Sequence, residues 1–178
     1  MIVREELKLK IYHGSTESVK YPNLDILNYK TDFGKGFYTT TDYEQAKKWS
    51  KIKKKRLENN SHGMKINSYV SVYDFVEKND LKILRFESAT KEWLDFIFKN
   101  RKSNDLLHEY DIVIGLVAND NLYQVISGYE DGIYNLNETI KRLKTYTLTN
   151  QISFHTAKAL KCIKYMKTIK MGDGDKDE

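Results

Sequence analysis

The stretch DFGKGFYTT, residues 32–40, places two glycines, separated by one lysine, in front of aromatic and β-branched residues. Glycine permits the tight backbone that a turn needs, while Phe, Tyr and Thr favour a strand. Asp42 then begins a helix as its N-cap, and Gln45 three residues later completes a capping box. We therefore expect a turn, a strand and a helix in succession. Together they fix the ring of Tyr38 where it can stack on a flat heteroaromatic ligand.

Outside this stretch, strands and helices follow one another irregularly. Alternating or continuous apolar runs predict strands, and apolar residues at helical spacing predict helices. The predicted strands are residues 8–13, 69–75, 81–86, 110–117 and 151–155; the predicted helices are residues 42–57, one from Thr90, residues 137–146, and one from Thr156 that carries Ala159, Leu160, Ile163 and Met166. This irregular order favours an α+β fold over a parallel α/β sheet. We expect one domain over residues 1–171 and a flexible acidic tail over residues 172–178.

The composition is that of a water-soluble domain with a real core. The chain has 178 residues, of which 40% are hydrophobic, and a formal net charge of +5. This mild basicity permits a phosphate-bearing ligand or an acidic partner without requiring one. The single cysteine, Cys162, excludes an internal disulfide, and no stretch approaches the roughly 20 apolar residues that span a membrane. We expect a cytoplasmic protein with no membrane contact. We also expect no metal, because His62, His108 and His155 share no metal-ligand spacing.

Two further segments carry candidate chemistry. In YHGS, residues 12–15, an imidazole stands beside Gly14, whose backbone N–H and C=O an amide-bearing ligand can approach closely. In NQISF, residues 150–154, Gln151 opens the last predicted strand. Each feature also has a structural interpretation: a strand-end histidine, a core tyrosine, a helix-capping Gln45, a core Trp49 and a plain strand start.

Taken together, the three segments resemble the catalytic domain of the poly(ADP-ribose) polymerase and diphtheria-toxin branch of ADP-ribosyltransferases. The matching positions are His13-Gly14-Ser15, the run FGKGFY at residues 33–38, Trp49, and Gln151 where that branch has a glutamate. The chain resembles still more closely a bacterial family of uncharacterised ADP-ribosyltransferase-like proteins. That likeness covers most of residues 9–165 and lies in residues 32–40, 45–49 (QAKKW), 110–115 (YDIVIG) and 151–154 (QISF).

The resemblance implies a split β-sandwich of two small, mostly antiparallel sheets with flanking helices and an NAD⁺ cleft, NAD being the substrate. His13 would bind the adenosine ribose, and Gly14 would hold the nicotinamide carboxamide through its backbone. Tyr38 and Trp49 would enclose the nicotinamide ring. The expected NAD-binding residues are His13, Gly14, Ser15, Gly36, Tyr38, Gln45 and Trp49, and the expected catalytic residues are His13, Tyr38 and Gln151.

Gln151 departs from the pattern, because the glutamate of that branch supports a positively charged sugar and an amide brings no charge. Losing one preorganised electrostatic group typically costs about 10²–10³ in rate. Either catalysis is weakened, or another acid supplies the charge, with Glu130 and Asp131 as candidates. If Gln151 stands at the catalytic position, Gln151→Glu should raise or preserve the rate.

Three functions follow as alternatives. The first is a mono-ADP-ribosyltransferase acting on a macromolecular acceptor, protein or nucleic acid. Its likeness to small bacterial proteins implies a toxin or regulator paired with an antitoxin protein. The second is a catalytically inactive NAD or ADP-ribose binding module, which the replacement by Gln151 favours. The third is a nucleic-acid binder, based on the run KIKKKR at residues 51–56, which is otherwise a solvated helix face.

Overall fold

The computed structural model describes residues 8–27, 31–61, 64–106, 108–117, 120–143 and 150–172. The strands are β1 Leu9–Ser15, β2 Phe37–Thr39, β3 Tyr69–Phe75, β4 Ile83–Arg85, β5 Ile112–Leu116, β6 Asn150–Phe154 and β7 Ile163–Lys170. The helices are α1 Tyr43–Asn60, α2 Lys91–Lys102, α3 Asp120–Glu130, α4 Leu136–Leu143 and α5 Ala157–Leu160, and a 3₁₀ turn covers Leu24–Ile26. None of these helices combines the length and the apolar character that crossing a membrane requires.

The strands form two sheets. One has the order β1-β3-β7 and the other the order β2-β6-β5-β4, and every pair is antiparallel except β4 with β5. The sheets meet where Tyr12 in β1 and Thr40 beyond β2 exchange two backbone hydrogen bonds of 2.8 and 3.0 Å. The α+β class with two mostly antiparallel sheets is therefore confirmed.

Two large apolar cores, and a smaller cluster of Ala46, Val70 and Met171, hold these layers together. The first lies between the sheets and includes Ile11 and Tyr73 from one sheet and Phe37, Ile112 and Phe154 from the other, all at most 2% exposed. The second packs helical side chains against the four-stranded sheet; it includes Phe33, Trp93, Leu94, Ile97, Val113, Ile126 and Leu143. Each buried side chain of this size stabilises the fold by about 1.5–3 kcal/mol. The sheets and α2–α4 thus form a firm frame around the loop at residues 31–36.

Helix α1 begins as the sequence predicts and lies directly on β1. Asp42 is its N-cap, and the Asp42 carboxylate accepts hydrogen bonds from the backbone N–H groups of Glu44 and Gln45. A Cβ on Gly14 would lie 2.0 Å from the carbonyl oxygen of Ala46. Position 14 therefore requires glycine, because the helix backbone occupies the space of a side chain.

The predicted helix from Thr156 begins as expected, with Thr156 as the N-cap of α5, but its extension to Ile163 and Met166 is wrong. Helix α5 ends at Leu160, and residues 163–170 form β7, paired along β3. Ala159, Leu160, Ile163 and Met166 fit a helical period by coincidence. One edge of β3 pairs with β1, and the backbone groups on its other edge need hydrogen-bond partners as well. Pairing with β7 supplies them, and this outweighs the weak helical pattern. The predicted end of the helix over residues 137–146 lies partly outside the described residues, as do residues 173–178 of the predicted tail.

Candidate functional site

A cavity of about 660 Å³ opens where β1, β2, β6 and α1 meet. All three predicted catalytic residues, His13, Tyr38 and Gln151, line it. The predicted binding residues Gly14, Gly36, Gln45 and Trp49 also line it, whereas Ser15 does not. Segments from both ends of the chain therefore converge on one space, whose volume falls in the range of about 300–1,000 Å³ typical of ligand pockets.

His13 is held as a neutral ring with a defined tautomer. Its Nδ1 lies 2.6 Å from the carbonyl oxygen of Tyr38, so Nδ1 carries the proton and donates it. Burial, reinforced by the nearby charge of Lys53, lowers the pKa of His13 to about 3. Its ring also packs at 4.5 Å, centroid to centroid, on the ring of Phe37. The nitrogen left for a ligand is Nε2, which can only accept a hydrogen bond.

Tyr38 uses its hydroxyl to hold the preceding loop and leaves its ring at the cavity. The hydroxyl accepts a hydrogen bond from the N–H of Phe33 at 2.9 Å. It lies 2.9 Å from Thr31 Oγ1 and 2.7 Å from the carbonyl oxygen of Gly34, and it can donate to either. Burial raises the pKa of Tyr38 above its usual range, so the phenol stays neutral. Its chemistry toward a ligand is therefore that of a fixed aromatic surface.

The backbone of Gly14 faces away from its own sheet. Tyr12, on the same strand, directs its N–H and C=O toward Thr40 rather than toward β3. Groups two residues apart on a strand point the same way, so the N–H and C=O of Gly14 also point away from β3. The Gly14 carbonyl oxygen accepts a hydrogen bond of 2.8 Å from Lys53 Nζ. The N–H and C=O of Gly14, which the sequence analysis assigns to an amide-bearing ligand, thus lie beside the cavity. The carbonyl oxygen is already bound to the Lys53 ammonium.

Gly36 is required for packing. A Cβ at this position would lie 2.6 Å from Nδ1 of His155, which fills the space behind the loop. His155 donates from Nδ1 to the carbonyl oxygen of Lys35 at 2.7 Å, and its Nε2 contacts Ser153 Oγ at 2.8 Å. Burial lowers the pKa of His155 to about 4. This buried histidine supports the loop from behind.

Gln151 is bound to an acid that the sequence analysis did not single out. Its amide nitrogen donates to Asp32 Oδ2 and to the carbonyl oxygen of Leu116, each at 3.2 Å. Both amide hydrogens are thus used, so the group that Gln151 can offer a ligand is Oε1. Asp32 also lines the cavity, and Arg101 binds its Oδ1 at 2.6 and 2.9 Å. An ion pair and an amide therefore form one polar wall.

The acids named from the sequence lie elsewhere. Glu130 pairs with Lys102 at 3.8 Å, and neither Glu130 nor Asp131 lines the cavity. Asp32 is the first residue of the run DFGKGFYTT, but it is 119 positions from Gln151. No local sequence pattern can indicate a contact between residues so far apart. Asp32 and Gln151 meet because β6, which begins near Gln151, pairs with β2. Among the described residues, no three His, Cys, Asp or Glu side chains are grouped as metal ligands.

The basic run at residues 51–56 lies within α1, and its side chains point to different sides of that helix. Lys53 and Arg56 line the cavity on the same side of α1 as Gln45 and Trp49, whereas Lys55 does not line it. Arg56 and Lys55 are both exposed to solvent. The guanidinium of Arg56 lies 5.9 Å from the centre of the Trp49 ring. The run is therefore partly a solvated face and partly a cavity wall.

Comparison with known proteins assigns the chain to a protein family. Neither curated proteins nor solved structures gave a significant match to the chain. One family model matches residues 9–165, which include every residue of the cavity and all strands except residues 166–170 of β7. The chain belongs to this family, which is described as a protein of unknown function, DUF3990.

Proposed function

We propose that this protein binds NAD⁺ in the cavity and transfers ADP-ribose to a macromolecular acceptor, on a split β-sandwich of the ADP-ribosyltransferase type. The observation that carries the proposal is the convergence of His13, Tyr38 and Gln151 on one cavity. These residues are the three positions on which the sequence resemblance depends. The cavity combines flat aromatic side chains with acceptors for hydroxyl groups, as a nucleotide requires.

The proposed ribose contact uses His13. A ribose hydroxyl donates to a lone pair, and Nε2 of His13 offers one because Nδ1–H is bound to the Tyr38 carbonyl. The low pKa of His13 keeps this lone pair free at neutral pH. A histidine with an ordinary pKa would lose the acceptor as the pH falls toward 6.

The proposed nicotinamide contact uses Gly14 and two rings. The carboxamide would accept from the Gly14 N–H and donate to the Gly14 carbonyl. That oxygen has a second lone pair although Lys53 occupies the first. Tyr38 and Trp49 line the same cavity and would stack on the pyridine ring. Stacking of this kind contributes about 0.5–1.5 kcal/mol per ring pair beyond the area buried.

The proposed reaction breaks the bond between nicotinamide and ribose. The electron pair leaves with nicotinamide, which departs as a neutral molecule, and the sugar becomes cation-like. A nucleophile of the acceptor then bonds to that carbon and loses its proton. Gln151 Oε1 would accept a hydrogen bond from the sugar. The carboxylate of Asp32 on the amide N–H would draw negative charge toward that oxygen, which partly replaces the missing glutamate.

A second function, binding of NAD or ADP-ribose without turnover, is favoured by one observation. The charge of Asp32 is already paired with Arg101, and Gln151 is neutral, so this wall of the cavity carries no unpaired carboxylate. Such a module would gain stability from ligand without releasing nicotinamide. At a ligand concentration of 100 Kd, the gain is about 2.7 kcal/mol.

The test is incubation of the purified protein with NAD⁺ and bacterial lysate. Nicotinamide release is measured by chromatography, and a gain of one ADP-ribose mass is sought on the acceptors and on the protein itself. Tyr38→Ala and His13→Ala should abolish both signals. The matched control Tyr21→Ala, at a tyrosine that is 80% exposed, should retain them. Absence of nicotinamide release with every lysate, in protein that melts cooperatively, would refute transferase activity. A ligand-dependent rise in Tm would then identify the binding module.

A further inference from the structure

One face of α1 continues from the aromatic part of the cavity into a cationic part. Gln45, Trp49, Lys53 and Arg56 follow one another at intervals of three or four residues and all line the cavity. The helix therefore brings two cations to the same space as the Trp49 ring. Lys48 and Lys55, on the same helix, are exposed to solvent and do not line the cavity, whereas Arg56 lines it while also being exposed.

Among the described residues, these two cations have no anionic side chain within salt-bridge distance, although the charge of Glu17 acts on Lys53 from farther away. The Lys53 ammonium donates a hydrogen bond to the neutral carbonyl oxygen of Gly14. Burial and the adjacent charge of Arg56 lower the pKa of Lys53 to about 8. Lys53 is partly buried and its charge is repelled by that of Arg56, and a ligand that supplies negative charge would relieve this repulsion.

We propose that Lys53 and Arg56 form the subsite that binds the phosphate groups of the dinucleotide. This inference rests on the NAD⁺ binding proposed above and extends it to one end of the cavity. The ammonium has three donors, so Lys53 can keep Gly14 and still donate twice to phosphate oxygens. The guanidinium of Arg56 is planar and offers a paired donor set suited to phosphate.

The position of the subsite agrees with a dinucleotide rather than a free anion. Phosphate groups bound by Lys53 and Arg56 would lie at the cavity edge formed by α1. The ring surfaces of Trp49 and Tyr38 remain available in the same 660 Å³. One ligand that carries flat bases and a diphosphate can occupy both parts at once. Its phosphates would bring the two negative charges that the wall lacks.

The experiment compares two double variants by isothermal titration calorimetry. Lys53→Met/Arg56→Gln removes the two cavity cations, and Lys48→Met/Lys55→Gln removes two exposed cations from the same helix. The probes are ADP-ribose, which carries a diphosphate, and adenosine, which carries none. Each lost charged hydrogen bond should weaken ADP-ribose binding about 10- to 100-fold. The control pair should change it little, and adenosine binding should change little in either variant.

Several results overturn the inference. One is an unchanged affinity for ADP-ribose in Lys53→Met/Arg56→Gln. Another is an equal loss of ADP-ribose affinity in Lys48→Met/Lys55→Gln, which would show that binding depends on the overall positive charge of α1 rather than on the two cavity cations. If NAD⁺ is cleaved with an unchanged KM in the cavity variant, the inference fails and the transferase function stands. If inorganic pyrophosphate binds through these two side chains while NAD⁺ is never cleaved, the phosphate subsite stands and the transferase function fails.

A measurement on the unmodified protein covers the case in which the variant does not fold. An amine-acetylating reagent is applied with and without ADP-ribose, and labelling is read by mass spectrometry. ADP-ribose should protect Lys53 and leave Lys55 labelled as before, because only the former lines the cavity. Equal labelling of Lys53 in both conditions overturns the inference.

Discussion

Gln151→Glu is the most informative substitution, because the structure reverses the expectation that sequence alone supports. By resemblance, a glutamate at this position should help catalysis. In the structure, however, the Gln151 amide nitrogen lies 3.2 Å from Asp32 Oδ2 and donates to it. A carboxylate in place of the amide removes that donor and brings two negative charges together. We therefore expect the single substitution to destabilise the protein and to leave the sugar site no better than before.

The size of the effect follows from the contact. Two unit charges 3.2 Å apart repel by about 5 kcal/mol at an effective dielectric constant of about 20. The guanidinium of Arg101 on the other oxygen of Asp32 offsets part of this repulsion. The pair relieves the rest by binding a proton, so the pKa of the new carboxyl rises above the value of about 4.3 that it has in the unfolded chain. A rise of about two units corresponds to a loss of roughly 3 kcal/mol.

The sign of the pH dependence distinguishes this mechanism from ordinary misfolding. A carboxyl group whose folded pKa is raised costs nothing below its unfolded pKa and its full penalty above the folded value. The stability deficit of Gln151→Glu relative to the parent protein, measured by urea unfolding, should therefore be larger at pH 8 than at pH 5. Asp32→Asn in the same chain removes the repulsion between the two carboxylates but also breaks the ion pair of Asp32 with Arg101, so it should abolish the pH dependence of the deficit rather than the whole deficit. Equal deficits at both pH values, or a pH dependence that persists with Asp32→Asn, would show that the contact does not exist in solution.

The remaining predictions concern the cavity walls. Gly14→Ala should cost about 1–3 kcal/mol or more in urea unfolding, because α1 must move to admit a methyl group; an unchanged midpoint contradicts the close packing. Tyr38→Phe should cost about 1–3 kcal/mol by leaving the Phe33 N–H unpaired, yet should keep NAD⁺ affinity in calorimetry, which Tyr38→Ala should lose. Stability should fall below pH 6.5, by up to about 1.4 kcal/mol per pH unit for each of His13 and His155, because the fold keeps both neutral; constant stability between pH 7 and pH 5 contradicts this.

The sequence predicts best where local signals agree. In residues 32–45 the glycines, the β-prone run and the Asp42 cap all point to the same order, and β2 and α1 form accordingly. The alternation in residues 69–75 likewise predicts β3, with the same bounds. These elements deliver Tyr38 and the residues of α1 to the cavity.

Prediction fails where the deciding contact is distant in the chain. Residues 156–166 satisfy a helical period, yet the edge of β3 pairs with residues 163–170. The contact between Asp32 and Gln151 depends on how β6 lies against β2 and β5. Likewise, nothing in the run at residues 51–56 shows which lysines face inward, because this depends on the rotation of α1 about its own axis.

Gly14 and Gly36, the two glycines among the predicted NAD-binding residues, show why the site should be tested at its side chains. Sequence analysis interprets Gly14 as room for a ligand. In the structure, the missing side chain of Gly14 faces the backbone of α1, and that of Gly36 faces His155. A substitution at either glycine therefore disturbs packing first, and a loss of NAD⁺ binding there would not distinguish function from folding. Trp49 and Lys53 line the cavity from the same helix. Because their contributions, stacking and charge, respond to different ligands, losses at these two positions separate a nucleotide site from a merely well-packed cleft.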